Sequence, residues 1–212
     1  LDTRQYRTDQ SCGDRNGPPC AGVTVPDATL LGAVQEQWLV DGLYRSSSRW
    51  NVLPQQIMMA RVDMAPGNGE RISMDQWSGY EAARRRLMEF FATRRPANPV
   101  VLTGDIHKNW VNDLRVDYAD VASPIVGTEF VGTSISSSGD GSDLVEGALG
   151  MLSENPWVRF FNNQRGYVRC VITPQVWTTD YQVLEYVTKP DSPISTRASF
   201  IVEDGRPGAQ RA

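Results

Sequence analysis

The feature that most constrains this chain is the segment 99–107, an apolar run that ends in a glycine, a carboxylate and the only histidine of 212 residues. Val100, Val101 and Leu102 are typical of a central strand that is buried on both faces. Gly104 then lets the backbone turn at the carboxyl end of that strand, where open α/β sheets place their ligand sites. The segment therefore predicts a buried strand that delivers polar side chains to a sheet edge.

Asp105 and His107 are the polar side chains that follow this strand. In an extended segment, residues two apart point to the same face and can converge on one cation. A carboxylate oxygen and a neutral imidazole nitrogen are common ligands of hydrolytic metals. The pair is therefore a candidate catalytic metal site, and the alternative is an aspartate that caps a turn beside a locally packed histidine.

Hydrophobic periodicity predicts a mixed α/β chain. Helical spacing covers residues 27–45, with Asp27 as the N-cap, and residues 80–94. Extended segments are expected at 50–53 and 57–59, so the order helix, strand, helix, strand favours a layered sheet in the first half. Strands dominate after His107. They are expected at 114–118, 129–135, 166–172, 176–187 and 198–202, with a short helix over 144–152.

One domain is expected over residues 1–204, followed by a disordered tail over 205–212 that contains Pro207 and Gly208. Residues 1–7 resemble the interior of a strand, so the chain is interpreted as a fragment or a processed product. The net charge is −4 and no long basic run occurs, so no nucleic-acid footprint is indicated. No apolar stretch approaches the roughly 20 residues of a membrane span.

Cys12 and Cys20 flank a polar loop rich in turn-forming residues. A disulfide between them would stabilise such a loop by roughly 2 to 3 kcal/mol and would indicate an exported protein. A pair of metal thiolates is the weaker alternative, because no second cysteine pair or nearby histidine completes a site. Cys170 lies in a strand pattern and is interpreted as a small buried hydrophobic residue.

Many short segments of this chain match one family in order. They are 2–7 (DTRQYR), 49–53 (RWNVL), Gln56, 75–77 (DQW), 79–80 (GY), 104–107 (GDIH), 127–131 (GTEFV), 133–137 (TSISS), 139–141 (GDG) and 165–167 (RGY). On these segments the chain resembles the C-terminal half of the PhoD-like alkaline phosphatases, members of the metallophosphoesterase superfamily. The match spans nearly the whole chain, and so many ordered segments are far more specific than Gly-Asp-x-His alone.

The resemblance implies a fold, an activity and a cofactor. The fold is the C-terminal half of a four-layer metallophosphoesterase-like β-sandwich flanked by helices. The activity is hydrolysis of phosphate monoesters and diesters by a secreted or periplasmic enzyme, with Ca²⁺ and Fe³⁺ as the metals. Asp105 and His107 carry over as metal ligands. The upstream strands that bear the other ligands are absent before Leu1, so the resemblance also implies a missing N-terminal portion as partner and an inactive isolated chain.

Two further residue pairs are candidates for the site. Arg4 and Arg7 are expected to orient the substrate phosphate, because guanidinium groups match phosphate in bidentate fashion; the alternative is that they face solvent or pair with carboxylates. Asn109 and Asn112 are candidates to hold the second ring nitrogen of His107. The alternative for both asparagines is a solvated loop position.

Two other functional hypotheses are compatible with the sequence. The chain is a non-catalytic β-rich binding module if Trp157, Trp177, Tyr181 and Tyr186 form a ligand surface, whereas core packing is the ordinary role of such aromatic residues. Alternatively, the chain is a structural half that completes an enzyme only with its N-terminal partner.

Overall fold

Nine strands form two separate sheets in the computed structural model of the chain, which describes residues 1–212. The strands are β1 Asn51–Pro54, β2 Pro99–Thr103, β3 Asn109–Arg115, β4 Ile125–Val131, β5 Val158–Asn162, β6 Gly166–Ile172, β7 Val176–Leu184, β8 Ile194–Glu203 and β9 Arg206–Arg211. The helices are α1 Gly32–Arg45, α2 Glu81–Arg94 and α3 Ala148–Glu154. The predicted mixed α/β class is confirmed.

The first sheet has five strands in the order β1-β2-β4-β3-β5. Strand β2 runs parallel to β1 and β4, whereas β3 is antiparallel to β4 and β5. Val101 packs into a cluster with α1 and α2, and its neighbour Val100 packs into the cluster shared with the second sheet. Both residues are at most 1% exposed. The expectation of a central strand buried on both faces is confirmed, and the edge strands of this sheet are β1 and β5.

The second sheet is antiparallel, in the order β6-β7-β8-β9, and it packs on the first. Trp177 of β7 stacks on Phe130 of β4 at 6.5 Å between ring centroids, and the Tyr181 hydroxyl donates to the Trp110 carbonyl at 2.5 Å. Because Trp177 and Tyr181 are at most 1% exposed, they form the core between the sheets and offer no surface for a ligand. These two residues therefore do not support the hypothesis of a β-rich binding module.

Helices α1 and α2 cover the other face of the first sheet, through Leu39, Leu43, Leu87 and Phe91. Helix α2 matches its predicted bounds to within a residue. Helix α1 begins at Gly32 with Leu31 as its N-cap, four residues later than the predicted N-cap Asp27, and Asp27 caps nothing. The sequence before Gly32 folds instead into turns that bury Leu30 and Leu31, so apolar spacing there reflects tertiary packing rather than helix.

Several extended segments were placed wrongly. Residues 1–7 and 57–59 form no strand; both are irregular segments, the second fully buried. Strand β3 overlaps the predicted segment 114–118 only at its last two residues, and β4 begins earlier than the predicted 129–135. The helix expected at 144–152 begins at Ala148, and β5 was missed. In β3 and β4, burial on both faces removes the alternation on which the prediction depended.

The expected disordered tail is wrong, because residues 206–211 form β9, which pairs with β8. The Gly208 amide donates to Thr128 Oγ1 and the Ala209 amide donates to Asp113 Oδ1, each at 3.1 Å. Ala209 is 4% exposed. Proline and glycine are typical of tails in sequence, but here they occupy an edge strand tied to the first sheet.

The predicted Cys12–Cys20 disulfide is present, with the two Cα atoms 5.8 Å apart. Its loop is anchored by backbone pairing of Gly17 with Ile72. Cys170 is free and half-buried, close to its predicted environment. None of the helices is both long and apolar enough to cross a membrane.

Candidate metal and phosphate site

Asp105 and His107 lie in a tight turn at the carboxyl end of β2, as the sequence predicts. The turn is not extended, however, because both residues adopt left-handed backbone conformations, with φ +67° and +55°. Ile106 between them packs on an apolar cluster that includes Val131, while both polar side chains are exposed. Non-glycine residues in this conformation concentrate at functional sites. The sequence predicted the bend at Gly104, but the left-handed conformations lie at Asp105 and His107 instead.

A buried carboxylate, Glu129 of β4, holds the strand end from which this turn emerges. It is 0% exposed and accepts four hydrogen bonds. Oε1 accepts from the Met59 amide at 2.6 Å and from Thr103 Oγ1 at 2.9 Å. Oε2 accepts from the Ala60 amide at 3.0 Å and from Asn112 Nδ2 at 2.9 Å. Glu129 therefore ties the last residue of β2 to the buried segment 57–60 and to β3.

Burial and hydrogen bonding act in opposite directions on the Glu129 carboxyl group. Burial raises the pKa of its carboxyl group, and the four hydrogen bonds oppose that shift. The Thr103 hydroxyl accepts from Gln55 Nε2 at 3.0 Å, so its own proton is directed at Glu129. The four groups that contact the carboxyl oxygens are all placed as donors, and no cation contacts them. Glu129 is thus a buried carboxyl group whose partners are dipoles.

Arg4 lies beside the turn and joins two carboxylates. Its Nη2 donates to Asp105 Oδ1 at 2.8 Å and its Nη1 donates to Asp75 Oδ1 at 2.6 Å. The same Asp75 oxygen accepts from Arg7 Nη1 and from Gln10 Nε2, each at 2.7 Å. Burial disfavours the charged Asp75, but the bonds from Arg4 and Arg7 outweigh it and lower its pKa. The structure thus brings both predicted arginines to Asp75 and only Arg4 to Asp105, which agrees with carboxylate pairing.

His107 is held by residues other than those expected. Its Nδ1 lies 3.1 Å from Ser138 Oγ, and its carbonyl oxygen accepts from Arg165 Nη1 at 2.8 Å. Asn109 bonds Asn162 and Gln164 instead, and Asn112 bonds Glu129. Both asparagines are at most 1% exposed in β3, so they are neither partners of His107 nor solvated. Proximity in sequence was misleading here because β3 leads the chain away from the turn.

The donor atoms at the turn fit a metal. Asp105 Oδ2 and His107 Nε2 make no hydrogen bond within the chain, and both side chains reach the surface. A carboxylate and an imidazole suit calcium, iron and other hydrolytic metals to different degrees. No group of three or more histidine, cysteine, aspartate or glutamate side chains gathers in a metal-binding arrangement. Two donor atoms of suitable chemistry therefore face the surface at this turn, and they are too few to hold a catalytic metal by themselves.

Comparison with known proteins identifies the family. The family model described as PhoD-like phosphatase matches residues 1–181. The chain belongs to the PhoD-like phosphatase family. It is 47% identical over 211 residues to alkaline phosphatase D of Bacillus subtilis (strain 168), and the match covers 100% of this chain. A solved structure titled "Structure of PhoD" superposes with a TM-score of 0.96 at 47% identity and also covers 100% of the chain.

The PhoD-like chain described here spans only part of these relatives. It covers 36% of the length of the Bacillus alkaline phosphatase D and 41% of the solved PhoD chain. The resemblance read from the motif segments is confirmed at the level of the family and the fold.

Sequence reasoning missed the residues that support the turn in this PhoD-like fold. Glu129, Ser138, Arg165 and Asp75 were not assigned roles, although three of them lie in segments that carry the family resemblance. A motif marks such residues as candidates but does not state their partners. The polar type of a residue inside an apolar strand, as with Glu129 between Thr128 and Phe130, is the one local signal that was available.

Proposed function

We propose that the whole protein is a metal-dependent phosphomonoesterase and phosphodiesterase of the alkaline phosphatase D type that releases phosphate from extracellular esters. The observation that carries this proposal is the exposed Asp105 and His107 turn at the carboxyl end of the central strand β2, in a chain 47% identical to alkaline phosphatase D over its length. Phosphate esters suit such a site, because metal ligands and arginines lie side by side there.

Asp105 and His107 would hold metal through Oδ2 and Nε2, the atoms left without hydrogen bonds. Ca²⁺ and Fe³⁺ are the metals proposed, by resemblance to the family. Bound metal at this position supplies Lewis acidity towards phosphate oxygens and lowers the pKa of water. Two ligands do not complete such a site. The remaining ligands are proposed to come from an N-terminal portion of the same protein, corresponding to the part of the relatives that this chain does not span.

Arg4 and Arg7 are proposed to bind the substrate phosphate. Asp75 accepts from one nitrogen of each guanidinium, and Arg4 donates from a second nitrogen to Asp105. The remaining N–H groups, more of them on Arg7, are available to phosphate oxygens. Asp75 thereby orients two cations beside the metal-binding turn. The side chains of Arg4 and Arg7 are 36% and 22% exposed, which leaves both accessible to a ligand.

An Arg7→Gln variant of the whole protein is expected to raise KM for an aryl phosphate about 10-fold while kcat changes less than about 3-fold. This pattern follows if Arg7 binds the phosphate equally in the ground state and the transition state. Arg86→Gln is the matched control, because Arg86 also pairs with a carboxylate, Glu36, but on the helical surface. Steady-state kinetics of both variants measure KM and kcat. An unchanged KM for Arg7→Gln would mean that Arg7 has a structural role and does not bind the substrate.

The proposed location is extracellular or periplasmic, and its support is the Cys12–Cys20 disulfide. Disulfides persist in oxidising compartments and are rare in the bacterial cytosol.

The proposed function is tested on whole protein isolated from the culture medium or periplasm. It is expected to hydrolyse an aryl phosphate and a bis-aryl phosphodiester, to lose turnover on chelation, and to resist alkylation at Cys12 and Cys20 before reduction. The chain 1–212 alone is expected to be inactive because it holds two ligands. Chelator-resistant turnover, or robust metal-dependent turnover by the chain alone, would contradict the proposal.

A further inference from the structure

His107 is fixed at two points, one on its backbone and one on its ring. The backbone point is its carbonyl oxygen, which accepts from Arg165 Nη1 at 2.8 Å. The ring point is Nδ1, which lies 3.1 Å from Ser138 Oγ. These partners lie 58 and 31 residues away in sequence. A residue held from both sides by distant segments has its position set by the fold and not by its own turn.

Arg165 joins the His107 turn to the loop 133–138. Its Nη1 also donates to Ser134 Oγ at 3.1 Å and to the Ser137 carbonyl at 3.0 Å, and its Nη2 donates to the backbone and side-chain oxygens of Asn163. The residue is 1% exposed and no carboxylate contacts it. A buried guanidinium with only neutral acceptors is costly. The planar guanidinium fork can donate to several carbonyl oxygens at once, and it thereby holds the His107 turn and the loop 133–138 together.

The surrounding backbone is shaped around this guanidinium. Gly141 has φ +76°, and a Cβ there would lie 3.0 Å from Arg165 Nη2 and would overlap the Asn163 carbonyl. Ser138 has φ +75°, an uncommon conformation for a residue other than glycine. That conformation carries the Ser138 hydroxyl to the His107 ring. Two left-handed residues, Ser138 and His107, therefore meet through their side chains.

The ring contact can run in two directions, because the Ser138 hydroxyl can donate to Nδ1 or accept from Nδ1–H. A neutral imidazole has one N–H donor and one acceptor nitrogen, and the hydrogen bond at one nitrogen sets the role of the other. When Nδ1–H donates to Ser138 Oγ, the lone pair of Nε2 points away from the protein. This is the form in which Nε2 can bind a metal.

We propose that Ser138 and Arg165 are positioning residues for His107. Ser138 holds the ring in the Nδ1–H form, and Arg165 holds the backbone of the turn against the loop 133–138. The inference rests on the proposed function, in which His107 is a metal ligand. It adds two residues that act through His107 without touching metal or substrate.

Ser138→Ala in the whole protein tests the ring contact, with Ser136→Ala, an exposed serine of the same loop, as the matched control. In chelator-treated protein at alkaline pH, the ¹⁵N resonances of the His107 ring report the tautomer directly, and a His107→Asn sample identifies them. Wild type and Ser136→Ala are expected to show protonated Nδ1. Ser138→Ala is expected to show a substantial fraction of protonated Nε2 and, once metal is restored, a kcat lower by at least about 10-fold with KM changed less than about 3-fold.

Arg165→Lys tests the backbone contact, because lysine keeps the charge but lacks the fork. It is expected to lower kcat by about 10-fold or more and to shift the His107 ring resonances while the disulfide and the sheet signals stay unchanged. If this variant does not fold, the Ser138→Ala result decides the proposal alone, since Ser138 is exposed.

The inference is overturned if the wild-type ring is protonated at Nε2, or if Ser138→Ala keeps the wild-type kcat. Failure of the proposed function is a separate result, namely wild-type protein without metal-dependent turnover. The tautomer measurement needs no metal, so it supports or overturns the Ser138 contact in either case.

Discussion

Asp105→Asn and His107→Asn in the whole protein are each expected to lower kcat on an aryl phosphate or phosphodiester by at least about 100-fold, which corresponds to roughly 2.7 kcal/mol of transition-state stabilisation. Under the proposed function, each change removes a metal ligand from a site that needs all of its ligands. Asparagine is chosen because it tolerates the left-handed backbone found at both positions, with φ +67° and +55°. Bound metal, measured by elemental analysis, is expected to fall with turnover.

The stability of these variants should change little, because β2 behind the turn remains packed through Val100 and Val101. Asp105→Asn also loses the pairing with Arg4, but both side chains are more than a third exposed, and such pairs contribute at most about 1 kcal/mol. Asp191→Asn is the matched control, since Asp191 is an exposed aspartate with φ +62° that is not part of the proposed site. Normal turnover and metal content in both ligand variants would reduce the pair to ordinary turn residues.

Glu129→Gln is expected to lower the free energy of unfolding by about 3 kcal/mol or more, by analogy with the removal of one partner from a buried charged network. The substituted amide presents an NH₂ group to two of the four donors that now face the carboxylate. No rotation of the amide avoids this, because each carboxylate oxygen accepts two bonds. Urea unfolding of the wild type and variant measures the change.

Glu89→Gln provides the control for this prediction. Glu89 is exposed on α2, and surface substitutions of this kind change stability by about 0.5 kcal/mol or less. If Glu129→Gln is too unstable to purify, Thr103→Val removes one of the four donors and is expected to cost about 1 to 3 kcal/mol. A loss below about 1 kcal/mol in Glu129→Gln would mean that the carboxylate is protonated or that the network reorganises at little cost.

The parts of this fold that could be predicted from sequence are those encoded by neighbouring residues. The apolar run Val100 to Leu102 and the stripe of α2 specify a strand and a helix locally, and the bounds of β6 follow from turns on either side. The Cys12–Cys20 pairing was also predictable, because the two cysteines are only eight positions apart in sequence. They flank a short loop of turn-forming residues and need no distant part of the fold to bring them together.

The parts that could not be predicted depend on distant partners. Helix α1 begins late because Leu30 and Leu31 are buried by tertiary contacts. The site is of the same kind: Arg4 reaches Asp105 across 101 residues, and no periodicity reports that separation. The left-handed turn at Asp105 and His107 was missed because its conformation is stabilised by its surroundings rather than by glycine.

Strand β9 has a practical consequence for anyone who expresses or modifies this protein. Its amides at Gly208 and Ala209 donate hydrogen bonds to buried acceptors on Thr128 and Asp113. Burial already raises the pKa of the Asp113 carboxyl group. Trimming the last seven residues, 206–212, as a dispensable tail would leave a carboxylate inside the sandwich without its amide partner. Affinity tags and truncation boundaries should therefore leave Arg206–Arg211 intact, and a flexible spacer should separate any fused segment from this strand.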